Sequence, residues 1–356
     1  MTSAPLLEAV HLEHRYGPVR ALDDVSLAIA PGETFGLVGE SGCGKSTLAR
    51  ALLGLLEPTA GTVRFDGRDI AGLGRRARRA LCGELQVVFQ DHSGSLNPRR
   101  RVDRIVGDAM RRHEPNGSGG LEARVAALLE RVGLSAEQGA RFPHELSAGQ
   151  RQRVGIARAL APAPRLVIAD EPVSALDVSV QAQILNLLCD LRDELGVTWL
   201  LIAHDLGVVR QVSDRIGVMY LGKLVEVAPT PALFARPVHP YTGALLDAGP
   251  VPDPRASRRA RIVLSGDPGD AADPPPGCRF HPRCPRASAL CAESEPPLVS
   301  YGAGRLAACH HPAGVTPEEL ACARVAPASP RSAGDALPRA PYSSADSGAS
   351  SSPSSS

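Results

Sequence analysis

Gly39-Glu-Ser-Gly-Cys-Gly-Lys-Ser46 is the stretch that decides the fold, because it fits G-x-x-x-x-G-K-[ST] in the right local setting. A strand-like run, Thr34–Val38, leads into it and a helical pattern, Lys45–Leu56, leaves it. Glycines at 39, 42 and 44 let backbone N–H groups converge on phosphate without side-chain obstruction, and the helix start adds partial positive charge. Lys45 has the reach for β- and γ-phosphates and the Ser46 hydroxyl suits Mg²⁺. A bare Gly-rich turn would match this pattern by chance in about one chain in a hundred of this length. The base composition sharpens the point. Of 39 basic residues only Lys45 and Lys223 are Lys, so a Lys at this position is one that Arg has not replaced.

Working outward, Leu166-Val-Ile-Ala-Asp-Glu171 is an apolar strand ending in two acids. Asp170 is thereby a candidate Mg²⁺ ligand and Glu171 a candidate for orienting or deprotonating water. Leu146-Ser-Ala-Gly-Gln150 opens a helix whose N-cap is Ser147. The Ser hydroxyl, the Gly149 backbone and a fresh helix start make a second anion site, far in sequence from the first. Strand-like Val87–Phe89, Leu166–Ala169 and Val197–Ile202 alternate with helical Gly149–Leu160 and Val180–Leu195. That alternation predicts parallel strands with crossover helices over residues 1–236. A helical insertion is expected at about 91–160, strongest over Asp91–Glu145, with a Gly/Ser loop at Asn116–Gly120.

The 356 residues carry 39 basic and 38 acidic side chains, a net charge of +1, so no basic excess points to nucleic acid. The longest apolar run, Val197–Ala203, is far short of a bilayer span, and no cationic-then-apolar leader is seen, so a cytosolic chain is expected.

With the Leu146–Gln150 string in place, the sequence resembles the ATP-binding-cassette family, whose signature reads Leu-Ser-Gly-Gly-Gln; Ala148 departs at the third place. Tyr16 matches the adenine-stacking aromatic, Gln90 the glutamine loop, Ser174-Ala-Leu-Asp177 the loop after the second acid, and His204 the switch histidine. The resemblance implies a P-loop NTPase of α/β class: a RecA-like parallel-sheet core, an antiparallel β subdomain and a helical insertion. It implies an ATPase with Glu171, His204 and Gln90 as catalytic residues. ATP would be held by Tyr16, Gly39, Ser41, Gly42, Gly44, Lys45, Ser46, Thr47, Gln90 and Asp170, with Mg²⁺ on Ser46, Gln90 and Asp170. It further implies a head-to-tail pair of cassettes, identical or different, in which Ser147, Gly149, Gln150 and Asp177 face the partner's nucleotide.

Texture changes at Pro237. Pro, Arg and Gly rise, periodicity fades, and five of the eight Cys fall between Cys278 and Cys322. So apolar-poor a segment, 237–322, is expected to need a staple. Cys278, Cys284, Cys291 and Cys309 suit one Zn²⁺ or one [4Fe–4S] cluster, while free thiols are the plain alternative. Cys43, Cys82 and Cys189 read as isolated small residues. Residues 323–356, Ser/Pro/Ala-rich, read as a disordered tail. Gln90-Asp-His-Ser-Gly-Ser-Leu-Asn-Pro98, His239-Pro-Tyr-Thr242 and Gly277-Cys-Arg-Phe-His-Pro-Arg-Cys-Pro285 resemble the ATPase subunits of dipeptide, oligopeptide and nickel importers. Some members of that family carry an iron–sulfur cluster at a motif of this type, which favours iron over zinc. This second resemblance implies a chain peripheral on the cytoplasmic face of the cell membrane. It would work with two membrane-spanning permease subunits that an external binding protein supplies with peptide. Nickel or another small solute is the alternative cargo, and a soluble, non-transport cassette the alternative role.

Overall fold

The computed structural model of the chain describes residues 4–90, 92–113, 120–248, 269–321 and 323–325. The Gly/Ser loop up to residue 119, Cys322 and the tail from residue 326 lie outside the described residues.

Two sheets organise these residues. β1 (Leu7–Tyr16), β2 (Val19–Ile29), β4 (Ala60–Phe65) and β5 (Arg68–Asp69) form an antiparallel sheet in the order β2-β1-β4-β5. The larger sheet runs β13-β11-β12-β10-β9-β3-β8-β7-β6. Its centre is parallel: β9 (Arg215–Tyr220), β3 (Thr34–Val38), β8 (Thr198–Ala203), β7 (Leu166–Asp170) and β6 (Leu85–Val88). All five residues of β3 and all six of β8 are buried, as apolar runs covered on both faces must be.

Alternation along each strand sorts side chains into two cores. Phe35, Leu37, Leu166, Ile168, Leu200 and Ile202 face the antiparallel sheet and the helix Lys45–Leu52. Val38, Val167, Ala169, Trp199, Leu201 and Ala203 face the other side. On that side lie helices Val102–His113, Leu121–Arg131 and Ala148–Leu160, whose Val106, Leu129 and Val154 enter the same core. Between β6 and β7 the chain is helical, and no strand occurs there among the described residues.

The C-terminal segment is tied to the cassette by strand pairing, packing and ion pairs. β10 (Lys223–Pro229) pairs antiparallel with β12 (Leu306–Ala307), and β11 (Val299–Ser300) and β13 (Arg324–Val325) extend that edge. Phe280 is 1% exposed and belongs to the main core, packed edge-on against Tyr220 at 5.4 Å between ring centroids. Lys223 pairs with Glu295 at 2.6 Å, and buried Arg305 pairs with Glu319 at 3.1 Å while donating to the Arg236 and Gly314 carbonyls. Arg279 reaches Asp23 and the Leu221 carbonyl. Poor in core of its own, the segment borrows the cassette's.

Candidate nucleotide-binding and hydrolysis site

The residues singled out in sequence gather where the parallel strands end. The Gly39–Ser46 loop follows β3, Gln90 follows β6, Asp170 ends β7 and His204 follows β8. Ligands of open α/β sheets bind at this carboxyl edge, where loops from neighbouring strands converge.

Gly44 starts the helix Lys45–Leu52 at φ +105°, and no side chain caps that helix. A β-carbon at Gly44 would sit 2.2 Å from the Ala21 carbonyl oxygen, and one at Gly39 2.3 Å from that of Met219. Both glycines are therefore required by close backbone approach, and the helix start is left with N–H donors for an anion. Lys45, 5% exposed, donates from Nζ to the Gly39 carbonyl at 2.7 Å and the Glu40 carbonyl at 2.9 Å. Its ammonium is thus parked over the loop, with carbonyls standing where phosphate oxygens would take over.

Ser46 Oγ donates to Asp170 Oδ1 at 3.4 Å. Burial pushes the Asp170 carboxyl up, while the Ser46 hydrogen bond pulls it down; a nearby Glu171 adds to the rise and Lys45 opposes it. A half-buried carboxylate beside a hydroxyl is a hard oxygen set of the kind Mg²⁺ takes, so these residues fit that ion. Glu171 has φ +48°, a strained backbone for a residue with a side chain. It is held by its own N–H to the Ile202 carbonyl at 3.0 Å and by Ser174 Oγ donating to its carbonyl at 3.2 Å. Its carboxylate accepts from Gln90 Nε2 at 2.9 Å and lies 3.6 Å from His204 Nδ1.

Ser147 caps the helix Ala148–Leu160 in a reciprocal pair with Gln150: Gln150 N–H donates to Ser147 Oγ at 3.2 Å, and Ser147 N–H to Gln150 Oε1 at 2.9 Å. No hydrogen bond or ion pair among the described residues ties Ser147, Gly149 or Gln150 to this chain's own phosphate loop. Asp177 caps the helix Val178–Leu195 through Val180 N–H at 3.0 Å. Tyr16 is exposed at the end of β1, its ring edge-on to His14.

A model of the family described as ABC transporter matches residues 22–174, and one described as the C-terminal region of oligopeptide/dipeptide transporters matches residues 225–291. The chain is 53% identical over 292 residues to the probable peptide ABC transporter ATP-binding protein y4tS of Sinorhizobium fredii, covering 82% of each. It is 48% identical over 300 residues to the oligopeptide transport ATP-binding protein AppF of Bacillus subtilis, covering 84% of this chain and 91% of that protein. This chain belongs to the ABC transporter family. It is an ATP-hydrolysing subunit of the oligopeptide/dipeptide branch. Among solved structures, cbiO1 of Clostridium perfringens, part of an ABC transporter complex, matches with TM-score 0.60 at 30% identity, over 65% of this chain and 92% of that one. A dimeric post-hydrolysis ATP-binding cassette carrying ADP and phosphate matches with TM-score 0.54 at 29% identity, over 63% and 98%.

Nothing in the arrangement supports the expected Zn²⁺ or [4Fe–4S] site. Among the described residues no group of three or more His, Cys, Asp or Glu is arranged to hold a metal ion. Cys278, Cys284, Cys291 and Cys309 form no disulfide, and the first three lie near enough to Cys309 to push its thiol further up. Cys284 Sγ accepts from Arg286 N–H at 3.4 Å, and Cys291 Sγ lies 3.6 Å from Ser288 Oγ. Burial pushes the thiols of Cys278 and Cys284 up and that of Cys309 to about 12.

Sequence reading missed what His239-Pro-Tyr-Thr242 does. The buried Glu226 carboxylate accepts from the Val238 and His239 N–H groups, both at 2.8 Å, fixing the turn. His239 Nδ1 accepts from Tyr241 N–H at 3.1 Å, and the Tyr241 hydroxyl accepts from the N–H of Glu40, inside the phosphate loop. Charge in an apolar strand, Glu226 in Leu224-Val-Glu-Val-Ala228, was the one available signal.

Proposed function

We propose that this subunit energises peptide uptake by hydrolysing ATP at a site shared between two cassettes. Glu171 carries the reading: a carboxylate on a strained backbone, held between Gln90 and His204 at the same sheet edge as the phosphate loop. Backbone N–H groups of Gly39, Ser41, Gly42 and Gly44, with Ser46 and Thr47, take the phosphates. Lys45 swings its ammonium from the Gly39 and Glu40 carbonyls onto the β- and γ-oxygens. Tyr16 offers its exposed ring to the adenine. Glu171 accepts a hydrogen bond from the attacking water and takes its proton as the oxygen bonds to the γ-phosphorus and the bond to the β–γ bridging oxygen breaks, ADP leaving with that electron pair. His204 steadies the carboxylate and Gln90 fixes its rotamer. Ser46, Asp170 and Gln90 would hold Mg²⁺, which neutralises charge building on the phosphoryl oxygens.

The start of the helix Ala148–Leu160 is an anion site without an anion of its own chain. We assign Ser147, Gly149 and Gln150, with Asp177 beside them, to the nucleotide of a second cassette, identical or related. In this division residues 1–236, with the helical insertion at about 91–160, form the ATPase unit and 237–322 its extension. The insertion meets two permease subunits fed by an external binding protein, which puts the chain on the cytoplasmic face of the membrane; among the described residues no helix is long and apolar enough to cross it. The relatives' names favour peptide over nickel as cargo. Uptake of labelled di- and pentapeptides, with nickel-63 in parallel, by cells carrying wild type or Glu171→Gln tests this. Peptide uptake lost in the variant supports the reading; loss of nickel uptake alone replaces the cargo, and unchanged uptake of all three refutes the transport role.

A further inference from the structure

Glu40 is the second residue of the phosphate loop, and the C-terminal extension grips it. Arg283, lying between Cys278 and Cys284 and 243 residues away in sequence, presents both guanidinium nitrogens to the Glu40 carboxylate. Nη1 donates to Oε2 at 2.9 Å and Nη2 to Oε1 at 3.0 Å. This is the fork-on-fork arrangement in which an Arg–carboxylate pair is strongest and most directional. The pair is sheltered, with the Arg283 side chain 8% and the Glu40 side chain 21% exposed. Arg283 Nη1 also donates to the Tyr220 hydroxyl at 3.3 Å, and its guanidinium carbon lies 5.9 Å from the centre of that ring. The short turn His281–Arg283 fixes its direction: Arg283 N–H donates to the carbonyl of Phe280, whose ring is locked in the core.

Glu40 is thus held from three sides. Arg283 takes its carboxylate, the Tyr241 hydroxyl accepts from its N–H at 3.1 Å, and Lys45 Nζ donates to its carbonyl at 2.9 Å. Only the last of these has to break when Lys45 turns to phosphate. The other two come from the C-terminal side of the cassette and remain to keep the loop open.

We propose that Arg283 is a positioning residue of the ATP site: through Glu40 the C-terminal extension sets the shape of the phosphate loop, so that ATP affinity depends on how the extension is docked. The proposal rests on the reading that this loop holds ATP phosphate. It assigns the extension a part in nucleotide binding itself.

The test uses the full-length chain, with displacement of a fluorescent ATP analogue by ATP, steady-state turnover, and melting temperature. Arg283→Gln should raise the Kd and KM for ATP roughly tenfold, a loss of about 1.4 kcal/mol, with kcat little changed. Arg283→Lys, which keeps the charge and loses the fork, should fall between. Glu40→Gln should weaken ATP to a similar degree, and the double variant should be no weaker than the worse single one, because both remove one interaction. A role in folding alone would lower the melting temperature and the active fraction, leave KM unmoved, and add in the double variant. Unchanged Kd and KM in Arg283→Gln, with Lys45→Ala binding lost, overturns the proposal. Unchanged binding in Lys45→Ala overturns the underlying assignment of the loop instead. Should Arg283→Gln fail to fold, the Glu40→Gln variant decides by the same KM criterion.

Discussion

Phe280→Ala is the perturbation that most directly separates a borrowed core from a metal staple in the extension. The ring is 1% exposed and sits against Tyr220, Tyr241 and His239 at 5.4, 5.3 and 5.6 Å between centroids. Tyr220 and Tyr241 are themselves buried parts of the cassette core, so little can move in to fill the space. Truncating such a phenylalanine costs about 3–5 kcal/mol. The other ties are β12's two paired residues, Leu306 and Ala307, on β10 and the ion pairs of Arg279, Arg283 and Lys223. Most of the loss should therefore appear as local release of the extension, with the parallel sheet intact. At tenfold per 1.4 kcal/mol, amide exchange in 278–309 should accelerate by at least a hundredfold. Exchange mass spectrometry of wild type and variant, with and without a chelator, reads this out. Protection that survives Phe280→Ala but collapses on chelation would refute the packing argument.

Four further outcomes are expected. Lys45→Ala should weaken ATP binding itself, by removing the one ammonium at the loop, as titration of an ATP analogue will report. Tyr241→Phe removes the acceptor for Glu40 N–H and should destabilise the protein by about 1–3 kcal/mol in urea unfolding, because the amide is left without its partner. Ser147→Ala should cost about 1 kcal/mol as a lost N-cap and also weaken ATP-driven pairing of chains; Ser147→Asn should restore the first in urea unfolding and leave the second impaired in size-exclusion chromatography. His239 is buried and held neutral, its pKa down to about 3 from 6.5. Between those values the unfolded chain binds more protons, so stability falls as pH falls: about 1.6 kcal/mol is lost from pH 6.5 to 5. In His239→Asn that part of the pH profile of unfolding should vanish.

The cassette was legible because its chemistry is local in sequence. Gly39–Ser46, Leu166–Glu171 and Leu146–Gln150 each bring together, within a few residues, a backbone shape and the groups that act on it. Strands β3, β7 and β8 were visible as short apolar runs because both of their faces are covered; β3 keeps its expected ends, β7 runs one residue further and β8 is shifted by one. How the extension is attached was not legible, for the opposite reason. Its strands are two residues long, too short for any periodicity, and its hold on the cassette is made by single contacts over long separations: Arg283 to Glu40, Arg279 to Asp23, Phe280 into a core whose other members lie far upstream. Clustered cysteines were the conspicuous feature of the sequence, and the arginines between them were the informative one. Ala148, in the third place of the signature, leaves the Ser147–Gln150 capping pair in place, since that pair uses backbone and side chains on either side of it.

In the proposed reaction Glu171 prepares water for attack on ATP held by the Gly39–Ser46 loop. The most direct test of that role is ATP binding and ATP turnover measured side by side on the wild type and Glu171→Gln chains. ATP affinity should be nearly unchanged in the variant and turnover lower by roughly a hundredfold or more, the loss expected for a removed general base. Turnover at the wild-type rate by a variant that still binds ATP would contradict that role.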